Sequence, residues 1–178
     1  MTGVDQLRAE IANKINKLYQ CQVDMDKEIT VTSGATEALY DAIQAFVNNG
    51  DEVIMFDPAY DSYDPSVRLA GGVPVHLPLT RPDYQIDWQL LSDSINSNTR
   101  MIIINSPHNP CGSVLTATDL NQLAELLRDK NIVVLSDEVY EHMVFDKGIH
   151  QSVLRHPELK EKSIAVFSFG KTYHATGW

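Results

Sequence analysis

Cysteine is scarce: Cys21 and Cys111 are the only two in 178 residues, which rules out a disulfide framework and suits a reducing compartment. Positive charge is also short. Fourteen Lys and Arg stand against 24 Asp and Glu, a formal charge of −10, which weighs against a nucleic-acid or anionic-membrane surface, since either needs clustered basic residues. No apolar run approaches bilayer-spanning length, and the start, Met1-Thr2-Gly3-Val4-Asp5-Gln6, is unlike a secretory signal. Low-complexity stretches, internal repeats and Pro-, Gly- or Ser-rich linkers are missing, as are a Gly-x-Gly-x-x-Gly turn and a Walker loop. What these absences leave is an acidic, soluble, cytoplasmic protein with no nucleic-acid or membrane partner.

The chain has enough apolar material for one well-buried core but not for two ordinary domains: 43% of it is hydrophobic and 21% charged. Leu7, Ile11, Ile15 and Leu18 recur at helical spacing, predicting a helix over 7–18. A short strand is expected at 28–32, a helix at 35–47 closed by Asn49-Gly50, and a strand at 52–56. A helix at 62–69 stops at Gly71-Gly72 and leads to a strand at 73–77, then a helix at 88–95. Met101-Ile102-Ile103-Ile104 is apolar without alternation, the signature of a strand covered on both faces. A helix at 117–127 and further buried strands at 132–135 and 164–167 follow. Alternating strands and helices predict an α/β protein, a three-layer α/β/α sandwich with a mostly parallel sheet, in one domain.

In such sheets ligands gather beyond the carboxyl ends of the strands, and five of those ends carry small, polar or ionisable residues. Ser33-Gly34-Ala35-Thr36 opens a helix directly after the first expected strand. Free N–H groups and the positive end of the dipole there can seat a phosphate or carboxylate, or Ser33 or Thr36 can act as a plain cap. Tyr60, beside Pro58, can lay its ring on a flat ligand or wedge into the core. Asn109 stands between His108 and Pro110, where a simple turn is the alternative. Asp137 emerges from Val133-Val134-Leu135, and a buried carboxylate there needs a cationic or donor partner, unless it only caps a following helix. Tyr140 can offer its phenol to the same ligand or sit in the core.

Lys171, in Ser168-Phe169-Gly170-Lys171, follows an apolar strand and a small-residue turn, a place where an enzyme can hold a buried amine able to form a Schiff base with a carbonyl compound. Ser168-x-x-Lys171 also fits the pattern of penicillin-recognising acyl transferases, whose partner motifs are missing. His108 with Cys111 lacks a thiol-protease context, and Asp137, Glu138 and His142 lack a metal spacing.

TSGATEALYDAI, FDPAYDSYDP, INSPHNPCG, LSDEVYEHMVFD and SFGKTYHATGW occur in that order over nearly the whole chain. Together they resemble the catalytic half of a fold-type I pyridoxal-phosphate aminotransferase, of the subgroup with kynurenine, glutamine and methionine aminotransferases. The resemblance implies pyridoxal 5'-phosphate as cofactor, amino-acid and 2-oxo-acid substrates, and a homodimer. It makes Lys171 the Schiff-base lysine and proton shuttle, pairs Asp137 with the protonated pyridine nitrogen, and gives Asn109 and Tyr140 the ring oxygen. Tyr60 would stack on the ring, while Gly34, Ala35 and Thr36, with Ser168, would hold the phosphate.

Members of that family are more than twice this length, so residues 1–178 are expected to correspond to the cofactor-binding large domain, cut at both ends and without the C-terminal small domain. The arginine that clamps the substrate carboxylate belongs to that domain, a basic phosphate ligand would fall just after Trp178, and a tyrosine that reaches the neighbouring subunit would precede Met1. The chain alone is therefore expected to be a poor catalyst. A cysteine-conjugate β-lyase of the same fold, or a non-catalytic remnant that keeps a phosphate seat or a dimer surface, are the alternatives.

Overall fold

In the computed structural model, residues 2–176 are described; Met1 and the last two residues of the SFGKTYHATGW segment, Gly177 and Trp178, lie outside them. The elements run α1 (Asp5–Tyr19), α2 (Ala35–Phe46), β1 (Glu52–Asp57), α3 (Tyr63–Leu69), β2 (Val73–Pro78), α4 (Trp88–Ser94), β3 (Thr99–Asn105) and α5 (Ala117–Leu127). Then come β4 (Val133–Asp137), a 3-10 turn (Val153–Arg155), α6 (Pro157–Lys160), β5 (Ser163–Val166) and α7 (Phe169–Thr172). Among the described residues all four strand pairings are parallel, in the order β2-β1-β3-β4-β5.

Side chains on a strand alternate between faces, and the two halves of the core follow that rule. Ile54 and Phe56 of β1, Ile102 and Ile104 of β3, and Val134 of β4 pack with Leu91 of α4, Leu120, Leu123 and Leu127 of α5, and Leu159 of α6. Val53, Met55, Met101, Ile103 and Leu135 pack on the other face with Leu39 and Ile43 of α2 and Tyr63 and Val67 of α3. Both faces are covered, which is why the central strands are apolar without a break. Each fully buried Leu or Ile contributes about 1.5–3 kcal/mol, so this sheet is the main source of stability.

Local chemistry sets several boundaries. Thr116 and Asp119 form a reciprocal capping box at the start of α5. The Asp87 carboxylate accepts the N–H of Leu90 at the start of α4. The N–H of Gln20, in the left-handed region at φ 55°, bonds the Asn16 carbonyl and ends α1.

One expected element does not form. Residues 29–32 carry β-formers, but a strand exists only through a ladder. Among the described residues the Val31 N–H reaches the Thr2 carbonyl (2.9 Å), and no run of pairings joins this stretch to the sheet. The 3-10 turn, α6 and α7 are each four residues or fewer, too short to leave a periodic signal.

The strand order places a topological switch between β1 and β3: the chain leaves β1 toward β2 and later returns to build β3, β4 and β5 on the other side. Loops diverge beyond the carboxyl ends there and open a crevice. Asp57 to Tyr60 and Asn105 to Asn109 are those two loops.

Candidate active site

Asp137 is the last residue of β4 and is 4% exposed. Alternation puts it on the face of Leu135, toward α2 and α3, while its neighbours Ser136 and Glu138 turn the other way. Glu138 there accepts Ser136 Oγ (2.9 Å) and the Val153 N–H (3.1 Å) and pairs with His150 Nε2 (2.8 Å). No helix follows Asp137, so it is not a helix cap. Its Oδ1 accepts the Val139 N–H across a turn (3.2 Å), and its Oδ2 accepts the phenol of Tyr63 (2.6 Å). Burial pushes the Asp137 carboxyl up from its ordinary range, and the Tyr63 and Val139 donors oppose that push. None of the ion pairs among the described residues includes Asp137.

Tyr63 opens α3 and is 3% exposed; burial, then the Asp137 charge, raise its phenol far above the usual value, so it remains a donor throughout the working range. Its ring meets that of Tyr60 edge to face, with centroids 5.6 Å apart and planes at 75°. Asn105 ends β3 opposite Asp137. Its Nδ2 donates to the Asp137 carbonyl (2.9 Å) and its Oδ1 accepts the Asn109 N–H (2.7 Å). Asp137, Asn109 and Tyr60 are thus joined through two side chains, Tyr63 and Asn105, to which the sequence reading gave no role. A signal existed for both: Tyr63 follows Tyr60 by three residues, and Asn105 is a polar residue closing an apolar strand.

Beyond β5, Ser168 caps α7 by accepting the Gly170 N–H (3.1 Å). Lys171 lies on that single turn with its Nζ 5.9 Å from the centre of the half-buried Tyr140 ring. The buried amine expected at Lys171 is a correction: the residue is exposed, because α7 buries none of its side chains and Tyr140 covers one side only.

The third part is the start of α2. Arg100 Nε, near the amino end of β3, donates to the Phe46 carbonyl at the last residue of α2 (3.0 Å). The 12-residue helix therefore runs back toward the carboxyl ends of the strands, over β4 and β5, and delivers Gly34, Ala35 and Thr36 there. No side chain caps it, so neither Ser33 nor Thr36 plays the capping role that was the alternative; the Glu37 carboxylate bonds the Ser33 N–H instead. Gly34 has φ 89° and ψ 166°, a conformation that only glycine adopts without strain, and a Cβ there would meet nothing within 4 Å. An uncapped helix start on open space can receive an anion.

Seen together, one end of the sheet carries a buried carboxylate held by neutral donors, an aromatic ring beside it, an asparagine tied to the same strand pair, an amine on a short turn and an open helix start.

The family model described as aminotransferase class I and II matches residues 1–178. The chain is 52% identical to the methionine aminotransferase of Escherichia coli (strain K12), over 100% of this chain and 46% of that protein. It is 42% identical to human kynurenine--oxoglutarate transaminase 3, over 91% of this chain and 38% of that one. A solved structure of an Escherichia coli methionine aminotransferase superimposes with a TM-score of 0.98 at 51% identity, covering 99% of this chain and 47% of that one. The N-succinyldiaminopimelate aminotransferase of Mycobacterium tuberculosis gives a TM-score of 0.96 at 40% identity, covering 99% and 47%. The chain spans about half the length of the curated relatives it matches.

Proposed function

The chain belongs to the class I and II aminotransferase family, whose members use pyridoxal 5'-phosphate, and from that premise we propose that residues 1–178 form the cofactor-binding large domain of an enzyme that transfers the amino group of methionine to a 2-oxo acid. The identity of 52% to a methionine aminotransferase over the full chain favours methionine over the glutamine and aromatic alternatives. On this reading the protein works as a homodimer in the cytoplasm; no helix among the described residues is long and apolar enough to cross a membrane.

The observation that carries the reading is Asp137, a buried carboxylate whose partners here are the neutral donors Tyr63 and Val139. A carboxylate kept from water needs donors or a cation to stay ionised, and a protonated ring nitrogen is a cation for which the two neutral donors leave room. The rest of the site fits the same ligand. The open start of α2 offers N–H groups to a phosphate, Tyr60 offers a ring face, and Asn109 and Tyr140 offer donors for a ring oxygen.

When bound, pyridoxal phosphate supplies an electron sink that lets the Cα–H bond of an amino acid break. Asp137 would hold the proton on the ring nitrogen and so keep the sink positive. Tyr140, whose ring lies beside Lys171, would donate its Oη to the ring oxygen. Lys171 Nζ would take the proton from the substrate Cα and deliver it to the cofactor carbon, and its exposed place on α7 leaves it free to swing between those two atoms. Ser168 fixes the start of that turn.

A direct test supplies methionine and a 2-oxo acid to the whole protein and follows both amino groups. The reading predicts the 2-oxo acid of methionine together with the new amino acid and no free ammonia. Pyruvate and ammonia from a cysteine conjugate, without transfer, would replace it with the eliminating alternative.

A further inference from the structure

We propose that Tyr63 is a positioning residue with two separable parts, its hydroxyl orienting Asp137 toward the cofactor nitrogen and its ring setting Tyr60 against the cofactor face. The inference rests on the cofactor reading above and assigns the link between two of its members.

Beyond its packing in the core, Tyr63 makes two directed contacts. Its Oη donates to Asp137 Oδ2 at 2.6 Å, and the Val139 N–H fills Oδ1 at 3.2 Å. Two donors on two oxygens fix the plane of the carboxylate, yet each oxygen accepts two bonds, so capacity remains for a ring N–H. A neutral donor suits this place. An arginine or lysine would neutralise Asp137 and compete with the ring cation, whereas a phenol favours the ionised carboxylate against the push of burial and leaves its charge available. The raised pKa of Tyr63 keeps the proton on the phenol side of that bond. The same ring meets Tyr60 edge to face, 5.6 Å between centroids, so one side chain at the start of α3 sets the direction of both neighbours. Val67, one turn further along α3, is fully buried in the same cluster and anchors the helix that carries Tyr63.

Replacing Tyr63 by Phe separates the two parts, because the ring stays and the hydroxyl goes. The test uses the full chain with 13C-labelled aspartate carboxyls, the Asp137 signal being identified by its loss in Asp137→Asn. Two quantities are read: the pH midpoint of that signal without cofactor, and the dissociation constant for pyridoxal phosphate from absorbance. Tyr63→Phe should move the Asp137 midpoint to higher pH and weaken pyridoxal phosphate about tenfold, the loss of one hydrogen bond to a charged group. Tyr63→Ala, which also frees the Tyr60 ring, should weaken it further.

A purely structural tyrosine would lower thermal stability and leave the Asp137 midpoint and the affinity of the refolded variant unchanged, and that result overturns the proposal. Should wild-type chain take up pyridoxal phosphate at lysines other than Lys171 while the Asp137 midpoint still responds to Tyr63→Phe, the cofactor reading fails; the proposal falls with it, and the Tyr63–Asp137 link survives as a structural bond. If the Phe variant does not fold, 3-fluorotyrosine at position 63 keeps the shape and sharpens the donor. Asp137 should then titrate at lower pH, and an unmoved midpoint counts against the proposal.

Discussion

Asn105 and Asp137 stand opposite each other at the ends of β3 and β4, and the Asn105 amide joins the Asp137 carbonyl to the Asn109 N–H at 2.9 and 2.7 Å. One side chain thus holds the two loops that carry proposed ring contacts at a fixed separation. Removing it leaves the half-buried Asn109 N–H without a partner, at about 1–3 kcal/mol, while the Asp137 carbonyl loses one of two donors and keeps the Ser106 N–H (3.1 Å). Asn105→Ala should lower the unfolding free energy by about 2 kcal/mol in urea titration and weaken pyridoxal phosphate by more than Asn109→Ala does. Equal effects from the two substitutions would show that Asn105 does not organise the loop.

A second link fastens α1 to the turn after β4. Glu141 is buried and accepts from Lys14 Nζ and Tyr19 Oη, while Tyr19 stacks on Phe167 with centroids 6.0 Å apart and Lys14 lies 5.1 Å from the Phe167 ring centre. Breaking a buried ion pair from one side strands its partner, at about 3–5 kcal/mol, and Lys14 keeps some access to water. Glu141→Ala should cost about 3 kcal/mol in chemical denaturation, and Glu141→Gln less, since the Tyr19 bond can remain. A denaturation midpoint unmoved by Glu141→Ala would place the anchor of α1 elsewhere.

At the mouth of the crevice His76 bridges Asp57 (2.9 Å) and Asp64 (3.0 Å), and Asp64 also pairs with Arg68 (2.6 Å). The Asp57 bond, with Asp64 behind it, lifts the imidazole above its ordinary value despite partial burial; Arg68, then His76, hold Asp64 below its own. A histidine whose folded value is raised adds stability that is fully present below about pH 6.5, its unfolded value, and is lost as pH rises through the folded value. Wild type should therefore exceed His76→Gln in stability most clearly near pH 6, and the gap should close in alkaline buffer. A gap that widens with pH would reverse the assignment. The Asp64 contribution runs the other way, present above about pH 4 and lost in acid.

Much of the fold was legible. The apolar run Met101 to Ile104 announced a strand covered on both faces, and the spacing of Leu7, Ile11, Ile15 and Leu18 announced α1, because both patterns are local. The strand expected at 28–32 failed because β propensity says nothing of a partner to pair with. The site was legible as a set of strand ends but not as a network. Tyr63 and Asp137 are 74 residues apart and Asn105 and Asp137 are 32 apart, and no local pattern reports such contacts. Burial of Lys171 was inferred from the apolar strand before it, whereas exposure depends on what packs over α7.

The central claim is that this end of the sheet builds a pyridoxal-phosphate pocket around Lys171. Mixing the chain with pyridoxal phosphate, reducing with borohydride and locating the mass-shifted peptide tests it most directly. A single modification at Lys171, abolished by Lys171→Ala and weakened by Asp137→Asn, is the predicted result. Labelling scattered over surface lysines, or none at all, would contradict it.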